Sequence, residues 1–324
     1  MSNAESRPVT IITGFLGAGK TTFLNALITH KENERLAIIE NEFGEEGIDS
    51  DLIIAADNGI FELSNGCLCC SLSQDFYDLL ESLWRRKNEY DELVIETTGI
   101  ADPANIMSPF LTIAGIGNFY QLKRVICLVD ARHIESQLRD TEEARKQISS
   151  SDILLITKTD LIQENHLTYL ENLLEQINPF ATVLSGNRDE YPLAAIFRLE
   201  RSAMVKNKPR FSLVPQRIGT HRHHDLVSLS FNFPEAFNKQ VLEHRLTLFL
   251  NFQSAGIYRV KGIIYTEGEQ NRIIVQSVNT DLAMSYGNAW EPGETRYSRI
   301  VFIGKNLKPE GFETMLRHCL AGNS

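Results

Sequence analysis

The chain has 324 residues, of which 43% are hydrophobic and 23% charged, and its formal net charge at neutral pH is −10. This length suits two globular domains, and the acidic balance disfavours a nucleic-acid partner, which requires a basic surface. No apolar run long enough to span a bilayer and no signal peptide is recognised, so we expect a cytoplasmic protein without a membrane partner.

The first 200 residues alternate apolar runs with amphipathic segments. The apolar runs predict buried strands at residues 9–13, 36–39, 93–95, 125–129 and 153–156. One amphipathic segment places its apolar residues at helical spacing; they are Phe76, Leu79, Leu80, Leu83 and Trp84. Near-continuous apolar strands separated by helices predict an α/β domain of the P-loop NTPase type, with a mostly parallel sheet covered by helices on both faces.

The pattern changes near residue 200, where a polar, basic and proline-broken stretch predicts a linker over residues 201–224. Residues 225–324 are expected to form a smaller α+β domain with an antiparallel sheet. Its strands are predicted at residues 227–233, 258–265, 272–278 and 299–303, and its helices at 235–250 and 309–320.

Residues 14–21, GFLGAGKT, fit the phosphate-binding loop pattern and lie between a predicted strand and a helix beginning near Thr21. Glycines let the backbone curl so that successive N–H groups point at phosphate oxygens, and the helix N-terminus adds partial positive charge. Lys20 is expected to reach the β- and γ-phosphates and the Thr21 hydroxyl to bind Mg²⁺, so both are expected to act in catalysis. The nucleotide-binding residues predicted in this segment are Gly14, Gly17, Ala18, Gly19, Lys20, Thr21 and Thr22.

A second nucleotide-site element is predicted at residues 96–99, ETTG, which follow an apolar strand. Glu96 would lie beside the phosphates, where it either holds the Mg²⁺ shell or orients the attacking water. Gly99 would donate its N–H to the γ-phosphate and sense hydrolysis. The alternative is a strand that ends in an ordinary polar turn.

Base choice is predicted to depend on residues 157–160, TKTD, which follow the strand at 153–156. The Asp160 carboxylate can accept from the ring N–H and the exocyclic amino group of guanine, a donor pair that adenine lacks. The alkyl stem of Lys158 can lie over the base plane. Thr157 stands where this signature usually has Asn, which leaves the strength of the GTP-over-ATP preference open. A helix-capping role for Asp160 is the alternative.

Residues 66–70, GCLCC, contain three of the five cysteines. Thiolates are soft ligands that suit Zn²⁺ or Cu(I), and a loop or helix start must present at least two of these cysteines to a shared ion. Cys67, Cys69 and Cys70 are therefore predicted to bind a transition metal, with buried structural cysteines as the alternative. The odd cysteine count argues against a disulfide framework, and Cys127 and Cys319 are expected to be bystanders.

Acidic residues 40–46 follow a predicted strand, which places them at the edge of the sheet that carries the phosphate loop. Glu40 and Glu45 are candidate oxygen ligands of the metal, in a mixed site with an open position that permits release. A solvated acidic loop is the alternative. His221, His223 and His224 are a further candidate, although an exposed polar turn is the favoured interpretation.

Together, residues 14–21, 40–45, 66–70, 96–99 and 158–160 resemble the CobW-related P-loop GTPases, of the YjiA type and the zinc-chaperone branch. Residues 259–262, 275–276 and 300–304 are similar to the family's C-terminal domain, so the resemblance covers nearly the whole chain. It implies weak intrinsic hydrolysis of GTP with Mg²⁺ and binding of a divalent metal, Zn²⁺ or alternatively Co²⁺ or Ni²⁺. It also implies a role in metallocentre assembly or metal allocation.

The sequence therefore predicts a GTP-switched metallochaperone that delivers zinc to a client metalloprotein, with a possible homodimer on GTP or metal binding. Two other classes stay open. One is a nucleotide hydrolase or small-molecule kinase with structural cysteines, and the other is a metal sensor or adaptor without useful turnover.

Overall fold

A computed structural model of the chain describes residues 6–40, 61–62, 74–199, 226–253, 256–278 and 280–322. The chain divides into two compact units, one comprising Met1–Asn172 with Ala181–Arg201 and the other Leu173–Phe180 with Ser202–Ser324. The predicted linker at 201–224 lies outside the described residues. The predicted domain limits at 200 and 225 therefore stay a prediction.

A parallel sheet forms the centre of the first unit. Its described strands are β1 (Arg7–Gly14), β2 (Leu36–Glu40), β3 (Phe61–Glu62), β4 (Glu92–Glu96), β5 (Tyr120–Asp130), β6 (Ile153–Thr157) and β7 (Thr182–Ser185). Their spatial order is β3-β2-β4-β1-β5-β6-β7, and every neighbouring pair is parallel. The five predicted apolar runs all lie in this sheet, because strands buried on both faces need apolar side chains in both directions.

Helices connect these strands and cover the sheet. They are α1 (Lys20–His30), α2 (Gln74–Arg85), α3 (Pro103–Thr112), α4 (Ala114–Gly117), α5 (Ile134–Asp140), α6 (Glu142–Ser150), α7 (Glu164–Ile177) and α8 (Leu193–Arg198). In α2, Phe76, Leu80 and Leu83 are buried, which confirms the face predicted from helical spacing. The predicted α/β class is confirmed.

An antiparallel sheet forms the second unit. Its described strands are β8 (Leu226–Phe233), β9 (Ile257–Ile264), β10 (Asn271–Val278), β11 (Asp281–Ala289) and β12 (Ser298–Lys305), in the spatial order β11-β10-β9-β12-β8. Two helices, α9 (Lys239–Gln253) and α10 (Pro309–Arg317), accompany them. Alternate residues of β8 and β12, among them Phe231 and Phe302, pack with Leu246 of α9 and Leu316 of α10 in one apolar core.

Three helix boundaries in this unit differ from the prediction, one of them the end of α9, which extends to Gln253 rather than to residue 250. The helix expected at 235–250 begins at Lys239, because the Phe237 N–H donates to the Tyr265 carbonyl oxygen and the Asn238 side chain caps the Val241 N–H instead. The last helix ends at Arg317 rather than at residue 320, since Leu320 forms an antiparallel bridge with Phe237. Across the described ranges, no helix combines the length and apolarity needed to cross a membrane.

Candidate functional site

The turn between β1 and α1 curls the backbone into a cradle. A Cβ at Gly14 would lie 2.5 Å from the Leu128 carbonyl oxygen, so only glycine allows β1 to pass this close to β5. Gly17 and Gly19 take φ angles of 73° and 95°, in the region that favours glycine. Lys20, the first residue of α1, donates from Nζ to the Gly14 carbonyl oxygen at 3.1 Å. The predicted phosphate loop, residues 14–21, thus has the backbone shape that its function requires.

Two side chains at the end of β6 donate hydrogen bonds to carbonyl groups of this loop: Thr157 is the last residue of the strand and Lys158 follows it. Thr157 Oγ1 donates to the Ala18 carbonyl oxygen at 2.9 Å, and Lys158 Nζ donates to that of Gly17 at 2.7 Å. In a planar trans peptide, a carbonyl and the following N–H point in opposite directions. Fixing the Ala18 carbonyl therefore directs the Gly19 N–H away from β6. The hydroxyl of Thr157 tethers the loop, so the replacement of the usual Asn leaves a hydrogen bond donor in place.

Oxygen atoms suited to a magnesium ion converge at the start of α1. Thr21 Oγ1 donates to Glu96 Oε1 at 3.4 Å, and Glu96 ends β4 with its side chain nearly buried. A hydroxyl and a carboxylate are the hard oxygen donors that Mg²⁺ prefers, so these residues fit the ion. When bound, Mg²⁺ would be held by Thr21 and Glu96 and would neutralise negative charge on the phosphates. The predicted residue Thr22 lies exposed in the first turn of α1.

The turn after β4 lies against the phosphate loop. A Cβ added to Gly99 would lie 2.7 Å from the Leu16 amide nitrogen, so the two backbones are in direct contact. Buried Gln147 of α6 donates from Nε2 to the carbonyl oxygens of Gly99 and Ala101, at 3.1 and 3.2 Å. These contacts hold Gly99 beside the loop, where a γ-phosphate sensor is needed.

The two candidate base-recognition residues lie at a short 3₁₀ turn, Thr159–Leu161: Lys158 directly precedes the turn and Asp160 lies within it. Asp160 is exposed, and among the described residues no hydrogen bond or ion pair involves its carboxylate, so the structure shows no capping bond there. Lys158 takes φ 59°, a conformation uncommon outside glycine. The turn therefore leaves the Asp160 carboxylate accessible to a ligand.

The metal-ligand candidates are divided between described and undescribed residues. Glu40 ends β2, in register with Glu96 on the neighbouring strand. The other candidates lie outside the described residues; they are Glu45, Cys67, Cys69, Cys70, His221, His223 and His224. Within the described ranges no group of three or more His, Cys, Asp or Glu could hold a metal ion.

The two remaining cysteines have the properties of buried thiols. Burial raises the pKa of Cys127 to about 12 and that of Cys319 to about 11. Such thiols stay protonated at neutral pH and are poor metal ligands or nucleophiles. This agrees with the prediction that both are bystanders.

Sequence reasoning missed three contributions to the site: the tether formed by Thr157, the buried Gln147 and the acid Asp130 at the end of β5. Asp130 carries the same sequence signal as Glu96, an acid directly after an apolar strand, and could have been found by it. Gln147 lies on an ordinary amphipathic helix, and nothing in its sequence context marks it.

The fold and the site together define a P-loop nucleotide-binding protein with a separate α+β C-terminal domain. The chain belongs to the CobW/HypB/UreG family, because the family model for the nucleotide-binding domain matches residues 8–185. The model of the cobalamin synthesis protein cobW C-terminal domain matches residues 226–320. The predictions of family and of a P-loop GTPase are confirmed.

Similar proteins include a zinc chaperone, YjiA, of Escherichia coli, which is 34% identical over 93% of this chain and 95% of its own length. The zinc chaperone CobW of Pseudomonas aeruginosa is 29% identical over 99% of this chain and 93% of its length. The crystal structure of Zn(II)-bound YjiA GTPase from E. coli superimposes with a TM-score of 0.74 at 29% identity, covering 98% of this chain and 99% of that one.

Proposed function

We propose that the protein hydrolyses GTP to GDP and phosphate and uses this reaction to control delivery of a transition metal, zinc, to a client metalloprotein. The cargo metal is bound by Cys67, Cys69 and Cys70, with Glu40 and Glu45 as oxygen ligands. Weak intrinsic hydrolysis and a cytoplasmic location are part of the proposal. The relatives that carry the names zinc chaperone and zinc-regulated GTPase metalloprotein activator support it.

The nucleotide half of the proposal assigns each predicted residue one task. Lys20 neutralises charge on the β- and γ-phosphates, and Thr21 and Glu96 hold Mg²⁺ or its water shell. Gly99 reports the γ-phosphate through its N–H. Lys158 and Asp160 recognise the guanine base. The hydrogen bonds and close approaches described above bring the first four of these residues to one edge of the sheet.

The observation that supports coupling is the register of two adjacent parallel strands. Glu40 and Glu96 are partners at the carboxyl ends of β2 and β4, where neighbouring strands lie about 4.8 Å apart. Glu40, a candidate ligand of the transition metal, therefore lies next to Glu96, a candidate ligand of Mg²⁺. The cysteine-containing segment, residues 63–73, follows β3 in the sequence, and β3 pairs in parallel with β2. A change in one segment would then bias the other, and the coupling must be reciprocal.

The test measures zinc affinity by competition with a chromophoric chelator, in the presence of GDP or of a non-hydrolysable GTP analogue with Mg²⁺. The zinc dissociation constants are expected to differ by about 5- to 150-fold between the two nucleotides, the range typical of allosteric coupling. The analogue's affinity must change by the same factor when zinc is added. Equal zinc affinity in both states would contradict nucleotide control.

A matched pair of cysteine variants tests the metal site itself. Cys69→Ser is expected to lower zinc content and affinity, whereas Cys319→Ser replaces a buried thiol of the other domain and should leave both unchanged. Unchanged zinc binding by Cys69→Ser would favour a nucleotide hydrolase with structural cysteines. Turnover that stays negligible with zinc and client present would favour a sensor or adaptor.

The client is sought with a hydrolysis-deficient variant, Glu96→Gln, loaded with GTP and zinc and used as bait. A metalloprotein that is retained with GTP and released with GDP is the expected result. Sedimentation of the same samples tests the proposed homodimer, which should form with the GTP analogue or zinc and dissociate with GDP.

A further inference from the structure

Asp130, the last residue of β5, carries a buried carboxylate with three partners. Only 3% of its side chain is exposed. Its Oδ2 accepts from Lys158 Nζ at 2.6 Å and contacts His133 Nδ1 at 3.1 Å, and its Oδ1 accepts from the Arg132 N–H at 3.0 Å. Arg132 Nε lies further away, at 3.8 Å from Oδ1. This acid is thus bonded to the lysine of the base-recognition turn.

The Lys158 ammonium group has two acceptors in the site. It donates both to Asp130 Oδ2 and to the Gly17 carbonyl oxygen of the phosphate loop. The Lys158 backbone is held in the left-handed region, at φ 59° and ψ 36°, which is unfavourable for a residue with a Cβ. A lysine side chain also loses rotamer entropy when it is fixed. Strong bonds to the ammonium are needed to offset both costs.

We propose that Asp130 is a positioning residue of the nucleotide site, which holds the Lys158 ammonium so that the lysine stem is fixed beside the guanine base. The inference rests on the proposed function, in which Lys158 and Asp160 recognise the base. Base recognition thereby gains a third residue, which lies 28 positions before Lys158.

The charge of Asp130 makes it suited to this task. Burial acts to raise the pKa of its carboxyl, but hydrogen bonds from Lys158, the Arg132 N–H and His133 outweigh burial and keep that pKa below its ordinary value. An ionised acceptor binds an ammonium group more strongly than a neutral acceptor does, because the two opposite charges attract each other. Without it, Lys158 would retain the Gly17 carbonyl, a neutral acceptor that half-exposed ammonium groups readily exchange for water.

The test uses Asp130→Asn, which has nearly the same shape. Its amide oxygen can keep the bond to the Arg132 N–H, but its NH₂ group then faces the Lys158 ammonium, and two donors cannot bond. The dissociation constant for GDP is expected to rise about tenfold. The dissociation constant for Mg²⁺-pyrophosphate, which has no base, should stay within about twofold of the wild-type value. The KM for GTP should rise with kcat nearly unchanged, a division that general damage to the fold would not produce.

Asp152→Asn is the matched control. Asp152 is also a buried acid, and it accepts a hydrogen bond from the Val125 N–H at 3.1 Å. It directly precedes β6, however, and so lies at the end of the sheet opposite to the nucleotide site. This variant should lower the unfolding temperature without changing the ratio of GDP to pyrophosphate affinity.

A double-mutant cycle with Lys158→Met, which keeps the stem and removes the ammonium, decides whether Asp130 acts through Lys158. The double variant should bind GDP no more weakly than Lys158→Met alone. Additive losses, equal losses for GDP and pyrophosphate, or unchanged GDP binding by Asp130→Asn would each overturn the inference. A wild-type protein that binds GDP no better than ADP would instead contradict the proposed base recognition, whatever the variants show.

Discussion

The parallel sheet has an amino edge, where its strands begin, and a carboxyl edge, where they end. The two edges use buried charged groups in different ways. At the amino edge, Glu92 accepts from Thr10 Oγ1 at 2.5 Å and from Lys31 Nζ at 2.7 Å, and Arg124 lies 4.0 Å away. Lys31 and Arg124 also both lie 4.7 Å from the centre of the Phe197 ring. At the carboxyl edge, side chains donate mostly to main-chain carbonyl oxygens of the phosphate loop instead.

We infer from this difference that the amino edge serves the stability of the fold and the carboxyl edge serves ligand binding. At the amino edge, the side chains of Thr10, Lys31 and Glu92 bond to one another, so they form an ionic cluster that contributes to folding. At the carboxyl edge, side chains occupy carbonyl groups and so direct peptide N–H groups toward the position of a ligand. Four predictions test this contrast, in decreasing order of expected effect.

Helix α1 has a lysine at each end: Lys20 belongs to the carboxyl edge and Lys31 to the amino edge. Lys20→Met should lower kcat for GTP by about 100- to 1,000-fold, because it removes a charge aimed at the transferred phosphate. It should leave the unfolding temperature nearly unchanged. Lys31→Met, at the other end of the helix, should lower the unfolding temperature and leave kcat within about twofold. Phosphate release assays and thermal unfolding of both variants measure the contrast, and a large loss of kcat in Lys31→Met would refute it.

At the amino edge, Glu92→Gln should lower the free energy of unfolding by about 3 kcal/mol, because it removes the buried carboxylate that Lys31 and Arg124 share. GDP affinity of the folded protein should not change. Urea denaturation and calorimetric titration test the two statements. A stability change below about 1 kcal/mol would mean that water or other groups replace the carboxylate.

At the carboxyl edge, Thr157→Val should weaken GDP binding about tenfold, because the Ala18 carbonyl loses its donor and the Ala18–Gly19 peptide can rotate. Thr157→Ser keeps the hydroxyl and should bind GDP nearly as the wild type does. If the valine and serine variants bind equally, the methyl group rather than the hydroxyl supports the loop.

The smallest effect is the pH dependence that Asp130 contributes. Its pKa in the folded protein lies below the ordinary value of about 3.9, so its stabilising contribution is complete above that value and is lost as pH falls through the folded pKa. The stability difference between wild type and Asp130→Asn should not decrease between pH 7 and pH 5 and should shrink below about pH 4. Urea denaturation at these pH values measures it, and a difference that already declines between pH 7 and 6 would contradict the assignment.

The sequence predicted the parts of the molecule that local patterns determine. The central strands were found because both of their faces are buried, and the phosphate loop because its glycines and Lys20 lie within eight positions. Strand β11 was missed, although Leu282, Met284 and Tyr286 alternate along it, because Asp281–Ala289 is a largely exposed edge strand with few apolar residues. The start of α9 was misplaced because Phe237 bonds to a distant strand, although Asn238 was a recognisable cap.

The pairing of Asp130 with Lys158 could not be predicted from local patterns. It depends on the register of β5 and β6, in which Asp130 lies opposite Thr157, and on the left-handed backbone that turns Lys158 back toward β5. The same holds for Gln147, whose partners are the carbonyl groups of a turn that precedes it by more than 40 residues. Long-range hydrogen bonds of this kind leave no periodic trace in the sequence.

The bond from Thr157 to Ala18 joins positions 139 residues apart, and this separation has a consequence for biosynthesis. A ribosome releases the glycine-rich turn early, but the groups that fix its carbonyls emerge only after about half of the polypeptide has been made. Nascent chains stalled before β6 should therefore bind nucleotide poorly, even with β1 and α1 outside the exit tunnel. Acquisition of GDP by the growing chain would mark the moment when β6 joins the sheet.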